Sequence, residues 1–136
     1  MEILPPKKIK ITEIKNKGRG VVATKKILKN EIIEIFPLVI LRPQDNRFIK
    51  NKSTSDTLYY YYLQQPEFKR DSIMLGYASL YNHSSDPNAE LDYPNTPKKN
   101  HAFFRAIKNI KAGEEITWDY NFDDCIVEFL PTRQKK

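Results

Sequence analysis

Branched and aromatic residues recur along this chain in short runs, each closed by glycine, proline, asparagine or a pair of lysines. Residues 9–11, 20–24, 32–41, 102–106 and 116–118 have the composition of strands and are bounded by turn residues. The pattern predicts a β-rich α+β domain with few short helices. One helix is expected to start near Ser55 or Asp56 and carry Tyr59-Tyr60-Tyr61-Tyr62, although a tyrosine run also suits a strand. A second is expected at the C-terminus, capped by Asp123 or Asp124 and stopped by Pro131. Residues 42–55 and 93–100 are polar, contain Pro43, Pro94 and Pro97, and read as surface loops.

The chain also carries a faint internal echo. Ala23, Lys25, Ile27, Asn30 and Glu31 recur at the same spacing as Ala106, Lys108, Ile110, Gly113 and Glu114. Asn30 and Gly113 both tolerate the left-handed backbone of a tight turn. Two copies are too few for a solenoid, so the echo reads as repeated strand-turn-strand chemistry.

Composition narrows the class. The 136 residues fit one domain with no low-complexity linker, spanning 1–136. The most apolar run, 32–41, is short and contains Glu34 and Pro37, so no membrane span is expected; no secretory signal is visible either. A soluble intracellular protein follows, cytoplasmic or nuclear. Cys125 is the only cysteine, which excludes an internal disulfide and a multi-cysteine zinc site. The net charge of +6 admits nucleic acid as a secondary partner. Basic residues crowd 1–30, whereas 113–128 hold six acids and no base, a surround that suits a cationic peptide.

Three segments carry chemistry. Lys17-Gly18-Arg19-Gly20 reads first as a hairpin turn, and second as a place where backbone approaches a ligand closely. In Tyr81-Asn82-His83-Ser84-Ser85-Asp86-Pro87-Asn88, Asn82 offers donors and an acceptor without charge, and His83 alone reads as a hydrogen-bonded structural residue. His101 has no partner ligands in the sequence, so a zinc triad is not expected. In Gly113-Glu114-Glu115-Ile116-Thr117-Trp118-Asp119-Tyr120, followed by Asn121 and Phe122, a phenol sits among aromatic residues. Such a setting disfavours a cation by desolvation, and a phenol oxygen can aim a neutral amine or similar donor.

In this order and spacing the three segments resemble SET-domain protein-lysine methyltransferases over residues 17–122, and most closely the compact viral and bacterial members. The resemblance implies a SET fold of several small sheets with a knot-like C-terminal crossing. It implies S-adenosylmethionine as methyl donor, with no metal, and lysine in a basic protein such as a histone as acceptor. Lys17, Gly18, Arg19 and Gly20 would cradle the cofactor's methionine moiety, Asn82 would hold its amino group, and His83 would meet the adenine through its backbone. Tyr81, Tyr120 and Phe122 complete the implied cofactor site, and Tyr120 would be the catalytic tyrosine. Tyr61, Tyr77 and Trp118 would line the substrate channel, with Trp118 where the family has phenylalanine or tyrosine governing how many methyls are added. Ser85 stands where many members have cysteine, and no cysteine-rich segment follows Tyr120. The tail 123–136, using residues such as Ile126 and Phe129, or a homodimer partner, would then close the lysine channel. Two further readings stand beside this one. The chain could be a catalytically silent SET-like module using its basic N-terminal surface on nucleic acid, or it could methylate a different amine.

Overall fold

The computed structural model describes residues 2–49, 61–65, 69–94 and 100–120. The elements run β1 (Ile9–Ile14), β2 (Gly18–Ala23), β3 (Ile32–Ile40), α1 (Pro43–Ile49), β4 (Tyr62–Gln65) and β5 (Arg70–Met74), then a 3-10 turn (Ala78–Leu80). They continue through β6 (Asn82–His83), β7 (Ala89–Asp92), β8 (His101–Ala106) and β9 (Thr117–Trp118). Three sheets result: the β1-β2 hairpin, a five-stranded sheet in the order β4-β5-β3-β8-β7, and a parallel pair β6-β9. The β-rich class and its division into small sheets are as expected. Among the described residues no helix is long and apolar enough to cross a membrane.

Two local expectations need correction. Within the supposed loop 42–55, Pro43–Ile49 is helical, because Pro43 is pre-set for a first helical turn and the Asp45 carboxylate accepts the Arg42 N–H at 3.1 Å. The end of the tyrosine run is strand: Tyr62 pairs with Ile73 and Leu63 with Ser72. The rest of that proposed helix, the C-terminal helix, Phe122 and the tail 123–136 lie outside the described residues.

The five-stranded sheet carries the core. In β8 the side chains alternate, with Ala102, Phe104 and Ala106 buried and His101, Phe103 and Arg105 half-buried. In β3 the register against β8 shifts between Ile32 and Glu34, and this irregularity turns Ile33 and Glu34 inward in succession. Phe36 packs on Phe104 at 5.3 Å between centroids, Tyr81 stacks on Phe104 at 4.2 Å, and Trp118 lies 5.3 Å from Phe104. These contacts continue to Tyr120, whose ring is 5.0 Å from Trp118, so the core leads directly to the Tyr120 segment.

The internal echo is a spatial one. Ile27 and Ile110 bridge antiparallel and exchange both backbone hydrogen bonds, at 2.9 and 2.8 Å. Asn30 N–H donates to Ala106 O at 2.8 Å, and the corresponding Gly113 N–H donates to Ala23 O at 2.7 Å. Glu31 accepts the Leu28 N–H and Glu114 accepts the Lys111 N–H, so each acid closes its own turn. The left-handed positions are Asn30 (φ 75°) and Gly113 (φ 89°). The two copies therefore complete each other about an approximate two-fold.

Candidate active site

The parallel β6-β9 pair places Asn82 opposite Thr117 and His83 opposite Trp118, which brings the two sequence motifs side by side. Asn88 fixes that pairing from one flank. Its side-chain oxygen accepts the buried Thr117 N–H at 2.9 Å and its amide donates to the part-buried Glu115 O at 2.8 Å, so two backbone groups depend on one side chain. On the other flank the Tyr120 hydroxyl donates to Tyr81 O at 2.5 Å. The Tyr120 N–H donates to His83 Nδ1 at 3.1 Å, which makes that nitrogen an acceptor. Burial holds the His83 pKa below the ordinary imidazole value, against the opposing pull of Asp119 at 3.7 Å. His83 thus orients Tyr120 with its ring, a role beyond the backbone one implied by the resemblance.

The glycine segment is both a turn and a close approach. Lys17 N–H donates to Ile14 O at 3.0 Å, closing the β1-β2 hairpin, with Asn16 and Gly18 left-handed at φ 66° and 78°. At Gly20 an added Cβ would stand 2.6 Å from Ile14 Cγ1, 2.8 Å from Asn82 Nδ2 and 2.9 Å from Glu115 Oε2. The Asn82 amide donates to Glu115 Oε2 at 2.7 Å and to Arg19 O at 3.2 Å, while Lys17 Nζ bonds Glu115 Oε1 at 2.8 Å. A carboxylate, an asparagine and a main-chain carbonyl therefore converge beside a strand that leaves no space for a side chain. With Glu115 engaged by Lys17 and the Asn82 amide, the Asn82 side-chain oxygen and Arg19 O are the acceptors that suit an amino-acid ammonium group, so the residues present fit the methionine end of S-adenosylmethionine.

Tyr61, Tyr81, Trp118 and Tyr120 line a cavity of ≈ 40 Å³ together with Tyr62, Leu63, Met74, Ala78 and Ser79. Tyr77 does not line it; that residue packs on the core and its N–H donates to Glu34 Oε2 at 2.9 Å. Trp118 Nε1 is buried and finds no acceptor among the described residues. Glu34 is 3% exposed, also accepts the Tyr81 hydroxyl at 2.9 Å, and burial pushes its pKa above the ordinary carboxylate value.

The roles of Glu34, Asn88 and Glu115 are visible only in the fold. Asn88 and Glu115 lie inside the quoted motifs, and the signal for Glu34 was an acid within an otherwise apolar run. Of the six acids of the acidic stretch, Asp123, Asp124 and Glu128 lie outside the described residues. Glu114 and Glu115 spend their carboxylates on turn backbone, Asn88, Asn82 and Lys17, while Asp119 remains 43% exposed. Among the described residues no group of three or more His, Cys, Asp or Glu side chains is placed to hold a metal.

The SET domain family matches residues 18–121. "Histone-lysine N-methyltransferase ASHR3" of Arabidopsis thaliana is 34% identical over 130 residues, covering 92% of this chain and 25% of its own length. "Histone-lysine N-methyltransferase, H3 lysine-36 specific" of Saccharomyces cerevisiae is 33% identical over 124 residues, covering 85% of this chain and 16% of its own length. "N-lysine methyltransferase KMT5A-A" of Xenopus laevis is 26% identical over 121 residues, covering 82% and 36%. The chain thus spans about a third or less of these curated relatives. A solved Plasmodium falciparum chain, assigned as a candidate histone methyltransferase, superposes with a TM-score of 0.65 at 30% identity, covering 88% of this chain and 97% of that one.

Proposed function

Because the chain belongs to the SET-domain family, we propose that it transfers methyl groups from S-adenosylmethionine to the side-chain amine of lysine in a basic, histone-type protein. The observation that carries the reading is the meeting of the Asn82 and Tyr120 segments through β6-β9, with the polar cluster of Arg19, Asn82 and Glu115 at the first segment and an aromatic cavity at the second. The cofactor, when bound, supplies an electrophilic methyl carbon on a sulfonium.

The chain's own residues do the rest. Arg19 O and the Asn82 side-chain oxygen accept from the ammonium end of the amino-acid moiety, while Glu115, tied to Lys17, holds the Asn82 amide so that its oxygen faces that end. Tyr61, Trp118 and Tyr120 wall the cavity, and their desolvating effect lowers the pKa of an entering lysine so that it arrives as an amine. The Tyr120 hydroxyl hydrogen is committed to Tyr81 O, so its oxygen serves as an acceptor that orients the amine through N–H and C–H contacts. His83 fixes the Tyr120 backbone, and exclusion of water strengthens each of these contacts. Trp118, on the wall beside Tyr120, limits how many methyl groups the channel accepts.

Tyr120→Phe tests the assignment. Cofactor affinity by titration calorimetry should stay within about twofold, and turnover on a histone mixture, read by mass spectrometry, should fall by about 100-fold or more. Near-normal turnover would remove Tyr120 from the mechanism.

A further inference from the structure

The two echoing turns make a surface that the proposed reaction does not use. Lys25, Lys26 and Lys29 are exposed on the first turn, and Lys108 and Lys111 on the second, 80 or so positions later in sequence. The Ile27-Ile110 bridge sets the turns side by side, and the Lys29 N–H donates to Asn109 Oδ1 at 2.8 Å. The acids of these turns are engaged: Glu31 holds Lys8 at 2.7 Å and the Leu28 N–H, and Glu114 holds the Lys111 N–H and Asn88. Lys25, Lys26, Lys29 and Lys111 have no carboxylate within ion-pair distance among the described residues. Lys108 pairs with Asp86, whose side chain is 91% exposed, and an ion pair so solvated is readily exchanged for another anion.

We infer that the paired turns 24–30 and 107–113 are a docking surface for the phosphate backbone of duplex DNA. The cations are lysines, which suit phosphate as point charges better than they suit base edges, so binding should be independent of sequence. Neither turn holds an aromatic residue on which unpaired bases could stack, which favours duplex over single strands. Leu28 is the only large apolar side chain exposed between the lysines, too little to anchor a membrane surface. The hydrogen bonds exchanged by the turns fix the backbone that carries the lysines, so the ordering left to binding is that of the side chains. The choice of DNA rests on the proposed function, because a histone-type substrate is met on DNA.

Fluorescence anisotropy with a labelled duplex of about 20 base pairs, in the absence of cofactor and peptide, tests the surface. If four lysines engage phosphates, log affinity should fall with log salt at a slope of about −3.6. Lys29→Glu with Lys111→Glu should weaken binding at least tenfold. Lys15→Glu with Lys69→Glu changes net charge equally, at the hairpin tip and the β4-β5 turn, and should cost under threefold. Equal losses in the two variants, a salt-insensitive isotherm, or tighter binding to single strands, RNA duplex or anionic vesicles overturns the inference. Since no cofactor is present, this result is independent of the Tyr120→Phe result.

Discussion

Replacing Glu34 separates its charge from its hydrogen bonds. The carboxylate accepts the Tyr77 N–H and the Tyr81 O–H, both at 2.9 Å, and the left-handed Gly76 comes so close that an added Cβ there would be 2.5 Å from Glu34 Oε2. Among the described residues no cation pairs with it, and desolvation, outweighing the two hydrogen bonds, raises its pKa. Glu34→Ala strands two donors at about 1–3 kcal/mol each, so a loss of about 2–6 kcal/mol is expected. Glu34→Gln keeps both contacts, its oxygen accepting from Tyr77 and its amide donating to a reversed Tyr81 hydroxyl, while removing the buried charge. Its cost at pH 7 should be under about 1 kcal/mol. The folded protein binds the Glu34 proton more tightly than the unfolded chain does. The group's contribution is therefore best below the unfolded pKa and declines as pH rises through the raised folded value. Urea denaturation between pH 4 and 7.5 should show wild type losing ground to Glu34→Gln as pH rises. If instead Glu34→Gln matches Glu34→Ala, and wild type gains on both with rising pH, then the negative charge itself, and not the hydrogen bonds, holds the turn.

Two further tests use the site walls and the glycines. Trp118→Phe removes the indole N–H that has no acceptor among the described residues and widens the cavity beside Tyr120, so mass spectrometry should show a shift toward more highly methylated product; an unchanged distribution would relieve Trp118 of that role. Gly20→Ala should cost about 1–3 kcal/mol by crowding and weaken cofactor binding at least tenfold, because Asn82 and Glu115 must move. Gly113→Ala meets no atom within 4 Å and bears only the strain of φ 89°, so it should cost about 1 kcal/mol and leave cofactor affinity unchanged. Equal cofactor affinities in the two glycine variants would detach Gly20 from the site.

Strands with a regular in-out rhythm were legible, as β8 shows, because burial of one face imposes period two on the sequence. β5 was not, since its buried Asp71 and Ser72 look like loop residues until their neighbours are known. The helix at Pro43 was hidden by a polar composition that also fits a loop. Tyr62 joins a strand because tyrosine suits either element and pairing with β5 decides between them. At the site, Asn82 and Tyr120 were found through their resemblance to a family pattern. The bonds that fix them, from Asn88, Glu115 and His83, join residues 27 to 37 positions apart, and no local rhythm records such partners.

The exchanged turns constrain the order in which this protein can become itself during synthesis. Ala23 must wait for Gly113 and Glu114, and Ile27 for Ile110, so the N-terminal hairpin leaves the ribosome with an edge that only a segment more than 80 residues younger can cover. Until then that edge is open to other strands, and the lysines of the first turn, by mutual repulsion, discourage wrong partners. Cooperative folding is thereby deferred until most of the chain has been made.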